Sequence, residues 1–304
     1  KLLAGVVHDD LTVGHSVRRL WSGGDRAEVL DTMVEAVSAA RAVAGEVSAV
    51  GFGIPSLLDF AAGVSVSSVH LPLEGLAFRE LMAERLGLPV FVDNDANLAA
   101  LAEQRVGAAR GARNVVLLTL GTGIGSGIVL DGRVFRGTSG AAAEIGHMTI
   151  DHHGPPCQGT CPGRGCLEVM ASGTAIGREG TDAGRREPES ALGRAVAQRG
   201  VVTGEEVAAL ALEGDAPACS VMAAIGRNLG AGIASIVNIF EPEVVVIGGG
   251  AAAAGDLLLD PAREVVAQRA LRPSRDHVLI VPAALGEEAG MVGAGLFALA
   301  DGRA

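Results

Sequence analysis

The 304-residue sequence predicts an α/β fold built in two halves. Short apolar runs alternate with stretches of helical periodicity, and this alternation indicates a mostly parallel sheet. The alternation restarts beyond residue 127, and the length suits about two domains of roughly 100–200 residues each. Two α/β halves with a cleft between them are the simplest assembly, and ligands usually bind in such clefts.

The first half is predicted to hold four strands separated by helices. Each strand is a short apolar run, and the helices are stretches with apolar residues every three or four positions. Pro55 closes the second strand, and a polar DNDAN segment follows the third. The predicted strands are 2–7, 47–54, 88–92 and 114–120, and the predicted helices are 27–44, 76–86 and one after residue 97.

The second half is predicted to open with a hairpin at 128–134, in which Asp131-Gly132 forms the two-residue turn. Strands follow at 244–247 and 278–281. Helices are predicted at 218–239, 261–271 and 289–300, and residues 182–189 are interpreted as an exposed connection. We identify no internal repeat of 20–50 residues.

Composition excludes some classes of partner. The net charge is −11 and aromatic residues make up 3% of the chain, which argues against binding to a phosphate backbone or to stacked bases. No run of about 18 apolar residues and no signal peptide are recognisable, so we expect a cytoplasmic protein that neither binds nucleic acid nor enters a membrane.

Two glycine-rich segments follow predicted strands. Residues 120–127 read LGTGIGSG, in which glycines let backbone amides approach an anion and Thr122 adds a hydroxyl; a turn without a ligand is equally consistent. Gly248, Gly249 and Gly250 open a G-x-G-x-x-A pattern, typical of a dinucleotide site but also of any strand–helix turn. The acidic residue expected about twenty positions later is missing from its place.

The segment Asp93-Asn94-Asp95 stands at the end of a predicted buried strand. Strand-end carboxylates line the ligand site in α/β folds, so Asp95 is a candidate general base toward a substrate hydroxyl. Capping of the following helix by Asn94 or Asp95 explains the same residues and is favoured by the motif in isolation.

Three of the four cysteines lie within ten residues and indicate a metal site rather than disulfides. Cys157, Cys161 and Cys166 supply three thiols, and His147 completes a tetrahedral zinc shell. His152 and His153 are nearer in sequence and compete with His147 as the fourth ligand. Cys219 is interpreted as a buried helix thiol.

Taken in order, these motifs resemble those of the ROK family, which contains bacterial glucokinases, related sugar kinases and sugar-responsive repressors. The resemblance covers nearly the whole chain and rests on DNDAN (93–97), LGTGIGSG (120–127), GAAAEIGHMTI (140–150), the cysteine segment ending in CLE (157–168), EPEVVVIGGG (241–250) and LGEEAGMVGAG (285–295). It implies the two-lobed actin-like, hexokinase-type ATPase fold with an interdomain cleft. Residues 1–112 would form the N-terminal lobe, joined by the C-terminal helix at about 289–304. Residues 113–288 would form the larger lobe, with the zinc loop at 147–166.

The resemblance also implies roles for the motif residues. Asp95 would be the catalytic base of an ATP-dependent hexose kinase, and ATP would be accompanied by Mg²⁺. Asn94, Glu144, His147 and Glu168 match positions that bind sugar hydroxyls, and His147 also matches the zinc histidine beside Cys157, Cys161 and Cys166. Gly121, Thr122 and Gly123 match the phosphate loop, and Gly248, Gly249 and Gly250 match the turn beside adenosine. The resemblance further suggests a homodimer or homotetramer.

Several positions depart from the family pattern. His70 stands where glucokinases carry the asparagine that contacts glucose, and Ser56 replaces a glycine, so which hexose is bound stays open. The cysteine spacing is C-x3-C-x4-C, two residues longer than the common C-x-C-x4-C. Lys1 resembles the last residue of the Asp-x-Gly-Gly-Thr-Lys strand, so we expect the preceding residues to be missing and the chain as given to be catalytically impaired.

Two other functions remain open at this point. A sugar-responsive transcriptional regulator of the same family would carry its DNA-binding domain outside this chain. A nicotinamide-dependent dehydrogenase would use the turn at 248–253. The 121–127 loop and Lys1 favour the kinase.

Overall fold

The computed structural model describes residues 2–21, 24–68 and 71–302, so Lys1 and His70 lie outside the described residues. The chain divides into two compact units. Unit 1 comprises Lys1–Arg113, Gly127–Ala143 and Ala284–Ala304, and unit 2 comprises Asn114–Ser126 and Glu144–Ala283. Residue 113 and residues 127–143 and 284–288 were expected from the sequence in the larger lobe but group with unit 1.

The strands form four sheets. β1 and β2 are antiparallel, β3 and β6 are parallel, β4 and β5 are antiparallel, and the remaining strands form a five-stranded sheet in the order β11-β10-β7-β8-β9. Within it, β7 is parallel to β10 and β10 to β11, as predicted for an α/β fold. The strands are β1 Leu2–Val7, β2 Val13–Arg19, β3 Val50–Ile54, β4 Leu57–Asp59, β5 Val64–Ser67, β6 Val90–Asn94, β7 Val115–Leu120, β8 Ile124–Leu130, β9 Arg133–Val134, β10 Val244–Gly248 and β11 Leu279–Pro282.

The helices flank these sheets, and unit 2 carries most of them. They are α1 Arg26–Ala44, α2 Phe78–Leu86, α3 Asp95–Arg105, α4 Leu167–Ala171, α5 Gly173–Arg186, α6 Ala191–Arg199, α7 Gly204–Leu212, α8 Ala216–Phe240, α9 Asp256–Arg269, α10 Ser274–His277 and α11 Ala289–Leu299. Short 3₁₀ segments span Ile145–His147, Gly250–Ala254 and Gly286–Glu288. The predicted α/β pattern is confirmed, including the hairpin turn at Asp131 and Gly132, whose φ angles are 51° and 77°.

A core of aliphatic and aromatic side chains holds unit 1 together. Phe52 of β3 and Phe78 of α2 meet edge to face with their ring centroids 5.3 Å apart, and Val90 and Val92 bring β6 into the same cluster. Because β6 is anchored in this core, the position of the residues at its carboxyl end is fixed by the packing of the strand.

The exposed connection predicted at 182–189 is wrong for residues 182–186, where α5 continues, and is confirmed for residues 187–189, which are exposed between α5 and α6. Glycine is a poor helix former, yet α5 contains Gly177, Gly180 and Gly184. In the fold they permit close helix packing: a Cβ on Gly180 would lie 2.3 Å from Cγ2 of Val207, and one on Gly184 would lie 2.6 Å from Cγ2 of Val196. The strand β2 was also not predicted, because Val17 is its sole buried residue and the strand therefore lacks an apolar face.

Helix α8 is the one described helix long and apolar enough to cross a bilayer by length and composition. Of its most apolar window, 61% is buried inside the structure, and α9 packs along it. A core helix of a globular unit has the same properties, so α8 is weak evidence for a membrane span.

Candidate functional site

The acidic turn lies where β6 ends and α3 begins. Asn94 is the N-cap of α3: its side-chain oxygen accepts hydrogen bonds from the backbone of Ala96 at 2.9 Å and Asn97 at 3.2 Å. Asp95 is the first helical residue, is exposed, and accepts a hydrogen bond from Ala96 N through Oδ1 at 2.9 Å. The capping role considered from sequence is therefore filled by Asn94, and the Asp95 carboxylate stands at the positive end of the helix dipole.

Ser56 lies beside this turn. The Ser56 carbonyl accepts a hydrogen bond from Nδ2 of Asn94 at 3.4 Å, and Ser56 is 5% exposed. The hydroxyl of Ser56 has no hydrogen-bond partner among the described residues. The departure noted in the sequence thus sits directly against the acidic turn.

A buried ion pair below the turn was not predicted. Asp93 is 2% exposed, and its Oδ1 accepts hydrogen bonds from the backbone of Asn94 at 2.7 Å and from Nδ2 of Asn97 at 3.1 Å. Its other oxygen pairs with Arg136 at 2.8 Å, and the guanidinium lies 4.1 Å from the centroid of the Phe60 ring. Asp93 therefore links the end of β6, the first turn of α3 and the segment after β9.

The glycine turn 121–123 joins β7 to β8 in unit 2. Gly121 N donates to the Gly123 carbonyl at 2.9 Å, and the Gly121 carbonyl accepts from Gly173 N at 2.7 Å. The Thr122 carbonyl accepts two side-chain hydrogen bonds, from Oγ1 of Thr174 at 2.7 Å and from Nε2 of Gln158 at 3.2 Å. The turn is thus held by the start of α5 and by the cysteine loop, while Gly121 and Thr122 remain exposed.

Glu168, in the first turn of α4, lies under the same turn. Its Oε2 accepts a hydrogen bond from Ile124 N at 2.9 Å. A Cβ on Gly123 would lie 2.2 Å from that oxygen, so a larger residue there would force the Glu168 carboxylate to move. The sequence did not indicate this structural role of Glu168, which is to hold the turn through Ile124.

The second glycine segment packs against the first. Gly248 ends β10, and Gly249 has φ +83°; a Cβ there would lie 2.4 Å from the carbonyl oxygen of Leu120, the residue before the 121–123 turn. A 3₁₀ segment then begins at Gly250, and α9 starts only at Asp256. Because the dinucleotide pattern needs a helix to begin at the glycines, the match at 248–253 is not a dinucleotide fingerprint.

The cysteine loop gathers one set of potential metal ligands. The ligand atoms of His147, Cys157, Cys161 and Cys166 all lie within 4.8 Å of one another. A tetrahedral zinc site, with bonds of about 2.3 Å to sulfur and about 2.0 Å to nitrogen, spaces its ligands roughly 3.5–3.8 Å apart. The separation of 3.5 Å between Cys157 Sγ and His147 Nδ1 fits that spacing, so three thiols and one imidazole match a closed structural site.

The competing histidines are not in this cluster. The rings of His152 and His153 pack edge to face with centroids 5.1 Å apart and are exposed. His147 instead belongs to a 3₁₀ segment that Glu144 precedes; its Nδ1 faces the thiols and its Nε2 lies 4.0 Å from Oε2 of Glu144. The two ring nitrogens thus have different neighbours. Cys219, interpreted from the sequence as a buried helix thiol, lies in helix α8 but is half-buried, and it donates to the Ala211 carbonyl at 3.3 Å.

Two thiols of the cluster, those of Cys157 and Cys166, have raised pKa values. Burial raises the pKa of Cys157 to about 12, and hydrogen bonds with Cys166 and Cys161 add to the effect. Burial also raises the pKa of Cys166. Because thiolates are the form that binds a metal, zinc would have to displace these protons.

This α/β chain of two units has the actin-like class of fold. Its parallel strands β7 and β10 both end in glycine turns, and the solved structure described below shares the fold. The model of the ROK family matches residues 1–301, and the chain belongs to that family. A glucokinase of Halalkalibacterium halodurans is 38% identical over 88% of this chain and 81% of its own length. A putative xylose repressor of Caldicellulosiruptor sp. is 32% identical over 88% of this chain but 66% of its own length.

One solved structure relates the fold to bound ligands. The ROK family glucokinase from Streptomyces griseus, in complex with glucose and AMPPNP, matches with a TM-score of 0.84 and 30% identity, covering 96% of this chain and 94% of that one. The family and the fold class expected from the motifs are therefore confirmed.

Proposed function

We propose that this chain is an ATP-dependent hexose kinase, similar to glucokinase, which transfers the γ-phosphate of ATP to a sugar hydroxyl. The observation that carries the proposal is the exposed Asp95 carboxylate at the start of α3, next to a capped and buried turn. The similarity to the glucokinase crystallised with glucose and AMPPNP supports the choice of substrates.

Asp95 is proposed as the general base. It would accept the proton of the sugar hydroxyl as that oxygen attacks the γ-phosphorus. Its Oδ1 is oriented by the hydrogen bond from Ala96 N, and the N-terminus of α3 stabilises the ionised form before the reaction.

Sugar hydroxyls are proposed to bind Asn94, Glu144, His147 and Glu168. A carboxylate oxygen accepts more than one hydrogen bond, so Glu168 can hold Ile124 N and a sugar hydroxyl together. The proposed role of His70 stays a prediction, because that residue lies outside the described part of the chain.

The glycine turns are proposed to bind the nucleotide. Gly121, Thr122 and Gly123 would contact the phosphates, and Gly248, Gly249 and Gly250 would lie beside the adenosine. The contact between Gly249 and Leu120 supports one nucleotide serving both turns. Mg²⁺ would accompany ATP, since neutralising charge on the phosphates is the main requirement of phosphoryl transfer.

His147, Cys157, Cys161 and Cys166 are proposed to hold a structural zinc ion. Zinc would supply a rigid crosslink between the 3₁₀ segment at His147 and the cysteine loop, with no reacting group of its own. A cytoplasmic location remains a prediction from the sequence, and assembly as a homodimer or homotetramer remains a prediction of the family resemblance.

The proposal is tested by incubating protein from the complete gene with Mg-ATP and glucose, mannose, N-acetylglucosamine, N-acetylmannosamine or fructose. We expect phosphorylation of at least one sugar with ATP, and no reduction of NAD when any of the five sugars is supplied with NAD instead. A protein that binds sugar but phosphorylates none of the five would favour the regulator, to which the match with a xylose repressor points.

A further inference from the structure

The lengthened cysteine spacing places one polar side chain against the glycine turn. Three residues separate Cys157 from Cys161, where the common family spacing has one. The first of them, Gln158, is half-buried and donates from Nε2 to the Thr122 carbonyl at 3.2 Å. Its neighbour along the chain, Cys157, is a member of the cluster. A single peptide unit therefore separates a metal ligand from a contact to the proposed phosphate turn.

A second contact runs from the other end of the cysteine loop. Cys166 is another member of the cluster, and Glu168, two residues later, accepts the hydrogen bond from Ile124 N at 2.9 Å. The turn between Leu120 and Ile124 is thus held on both sides by residues that lie within two positions of a candidate metal ligand. Two further hydrogen bonds to the turn, from Gly173 and Thr174, come from the start of α5 instead.

The loop itself has few other restraints on Gln158. Gly159 and Thr160, which follow it, are exposed, and Cys157 is fixed through a backbone hydrogen bond to the Gly163 carbonyl at 2.9 Å. A Cβ on Gly163 would lie 2.9 Å from Sγ of Cys166, so this part of the loop is packed around the thiols themselves. The position of Gln158 therefore depends on how firmly the cluster is held.

We propose that Gln158 is a positioning residue that couples metal binding at the Cys157–Cys161–Cys166–His147 cluster to nucleotide binding at the glycine turn. The inference rests on the proposed function, because it takes the 121–123 turn to bind phosphates. Metal fixes the loop and holds the Thr122 carbonyl in place through Gln158. Nucleotide then binds a turn that has already lost its conformational freedom.

The coupling is reciprocal. If the metal raises nucleotide affinity by some factor, nucleotide raises metal affinity by the same factor. The factor is limited by the hydrogen bond that transmits it, and a net contribution of about 0.5–1.5 kcal/mol corresponds to roughly a 2- to 10-fold change in Kd.

The experiment measures the dissociation constant of AMPPNP with Mg²⁺ in excess, by calorimetry, on zinc-loaded and zinc-depleted protein. Zinc affinity is measured in parallel by competition with a chromophoric chelator, with and without AMPPNP. Wild-type protein is expected to bind AMPPNP about 2- to 10-fold more tightly when zinc is loaded. The ratio of interest is the AMPPNP dissociation constant of zinc-depleted protein divided by that of zinc-loaded protein. Alanine and glutamate at position 158 cannot donate to the Thr122 carbonyl, so Gln158→Ala and Gln158→Glu should each bring this ratio close to one.

Two matched variants distinguish the coupling of zinc to nucleotide binding from a stabilisation of the 121–123 turn that does not depend on the metal. Thr160→Ala alters an exposed residue of the same loop and should keep the wild-type ratio. Thr174→Val removes the other donor to the Thr122 carbonyl, so it should weaken AMPPNP binding in both metal states and leave the ratio unchanged.

The possible results are distinguishable. An unchanged ratio in Gln158→Ala, or a ratio of one in wild-type protein that binds AMPPNP, would overturn the coupling and leave the kinase proposal standing. Failure of zinc-loaded wild-type protein to bind AMPPNP would overturn the proposed function and the coupling together.

Discussion

Arg136 binds Asp93 through Nε and Nη2, each 2.8 Å from the same carboxylate oxygen, Oδ2. The Asp93 side chain is 2% exposed and that of Arg136 is 13% exposed, so the pair is almost completely removed from water. The other oxygen of Asp93 is bonded to Asn94 and Asn97. The ion pair therefore supports the turn that presents Asp95.

Replacing Arg136 by methionine should destabilise the protein strongly. The substitution keeps an unbranched side chain that can fill most of the space of the arginine stem, but leaves a buried carboxylate without its cation, which costs about 3–5 kcal/mol. Urea unfolding would measure the loss. Asp93→Asn combined with Arg136→Met should recover part of it, because the buried charge is then absent.

The exposed pair of Arg113 and Asp131 provides the control for that experiment. Their atoms are 3.1 Å apart with side chains 71% and 80% exposed, so Arg113→Met should cost less than about 1 kcal/mol. If Arg136→Met and Arg113→Met lowered the free energy of unfolding equally, burial of the Asp93 ion pair would not increase its contribution to stability.

Asp95→Asn should abolish most turnover and leave the fold intact. Asparagine keeps the hydrogen bond to Ala96 N, while Asn94 continues to cap α3. Loss of a general base lowers turnover by about 10²- to 10⁴-fold. Steady-state kinetics and a thermal melt would check both parts.

Asp25→Asn is the matched control, because Asp25 also stands at a helix N-terminus of unit 1, where it accepts from Glu28 N at 3.0 Å. It should turn over at the wild-type rate. Near-normal turnover in Asp95→Asn would remove Asp95 as the base.

Local patterns predicted the elements and residues whose signal lies within a few positions of sequence. β7 is a continuous apolar run, and the cysteine spacing indicates a metal site by itself. The sequence could not predict the pairing of Asp93 with Arg136, because 43 residues separate them and only the fold brings them together. It also could not predict α5, whose glycines have meaning only once Val196 and Val207 pack against them.

The roles of the two glycine turns differ in a way that the fold alone reveals. Gly249→Ala should destabilise the protein, because its φ is +83° and a Cβ would lie 2.4 Å from the Leu120 carbonyl oxygen. At Gly121 a Cβ would meet nothing within 4 Å, so Gly121→Ala should unfold like wild type. Its effect should appear in the KM for ATP, and a loss of stability equal to that of Gly249→Ala would contradict the packing described.

Removing the metal should make stability fall as the pH rises above about 9. In the metal-free fold the pKa of Cys157 is raised to about 12, whereas an unfolded thiol has a pKa of about 8.5. At pH values between these two pKa values, the unfolded chain binds fewer protons than the folded chain does. Raising the pH through this range therefore lowers the free energy of unfolding. The sequence has no tyrosine and a single lysine, which leaves few other groups to titrate in this range.

The test is urea unfolding of chelator-treated protein at pH 7 and pH 10. Cys157→Ser, whose hydroxyl does not titrate, should lose less stability over this interval than wild type, whereas Cys219→Ser should lose as much as wild type. Zinc-loaded protein should also resist the change, because its thiols are already deprotonated and held by the metal. If wild type and Cys157→Ser declined in parallel without metal, the raised pKa of Cys157 would not be coupled to folding.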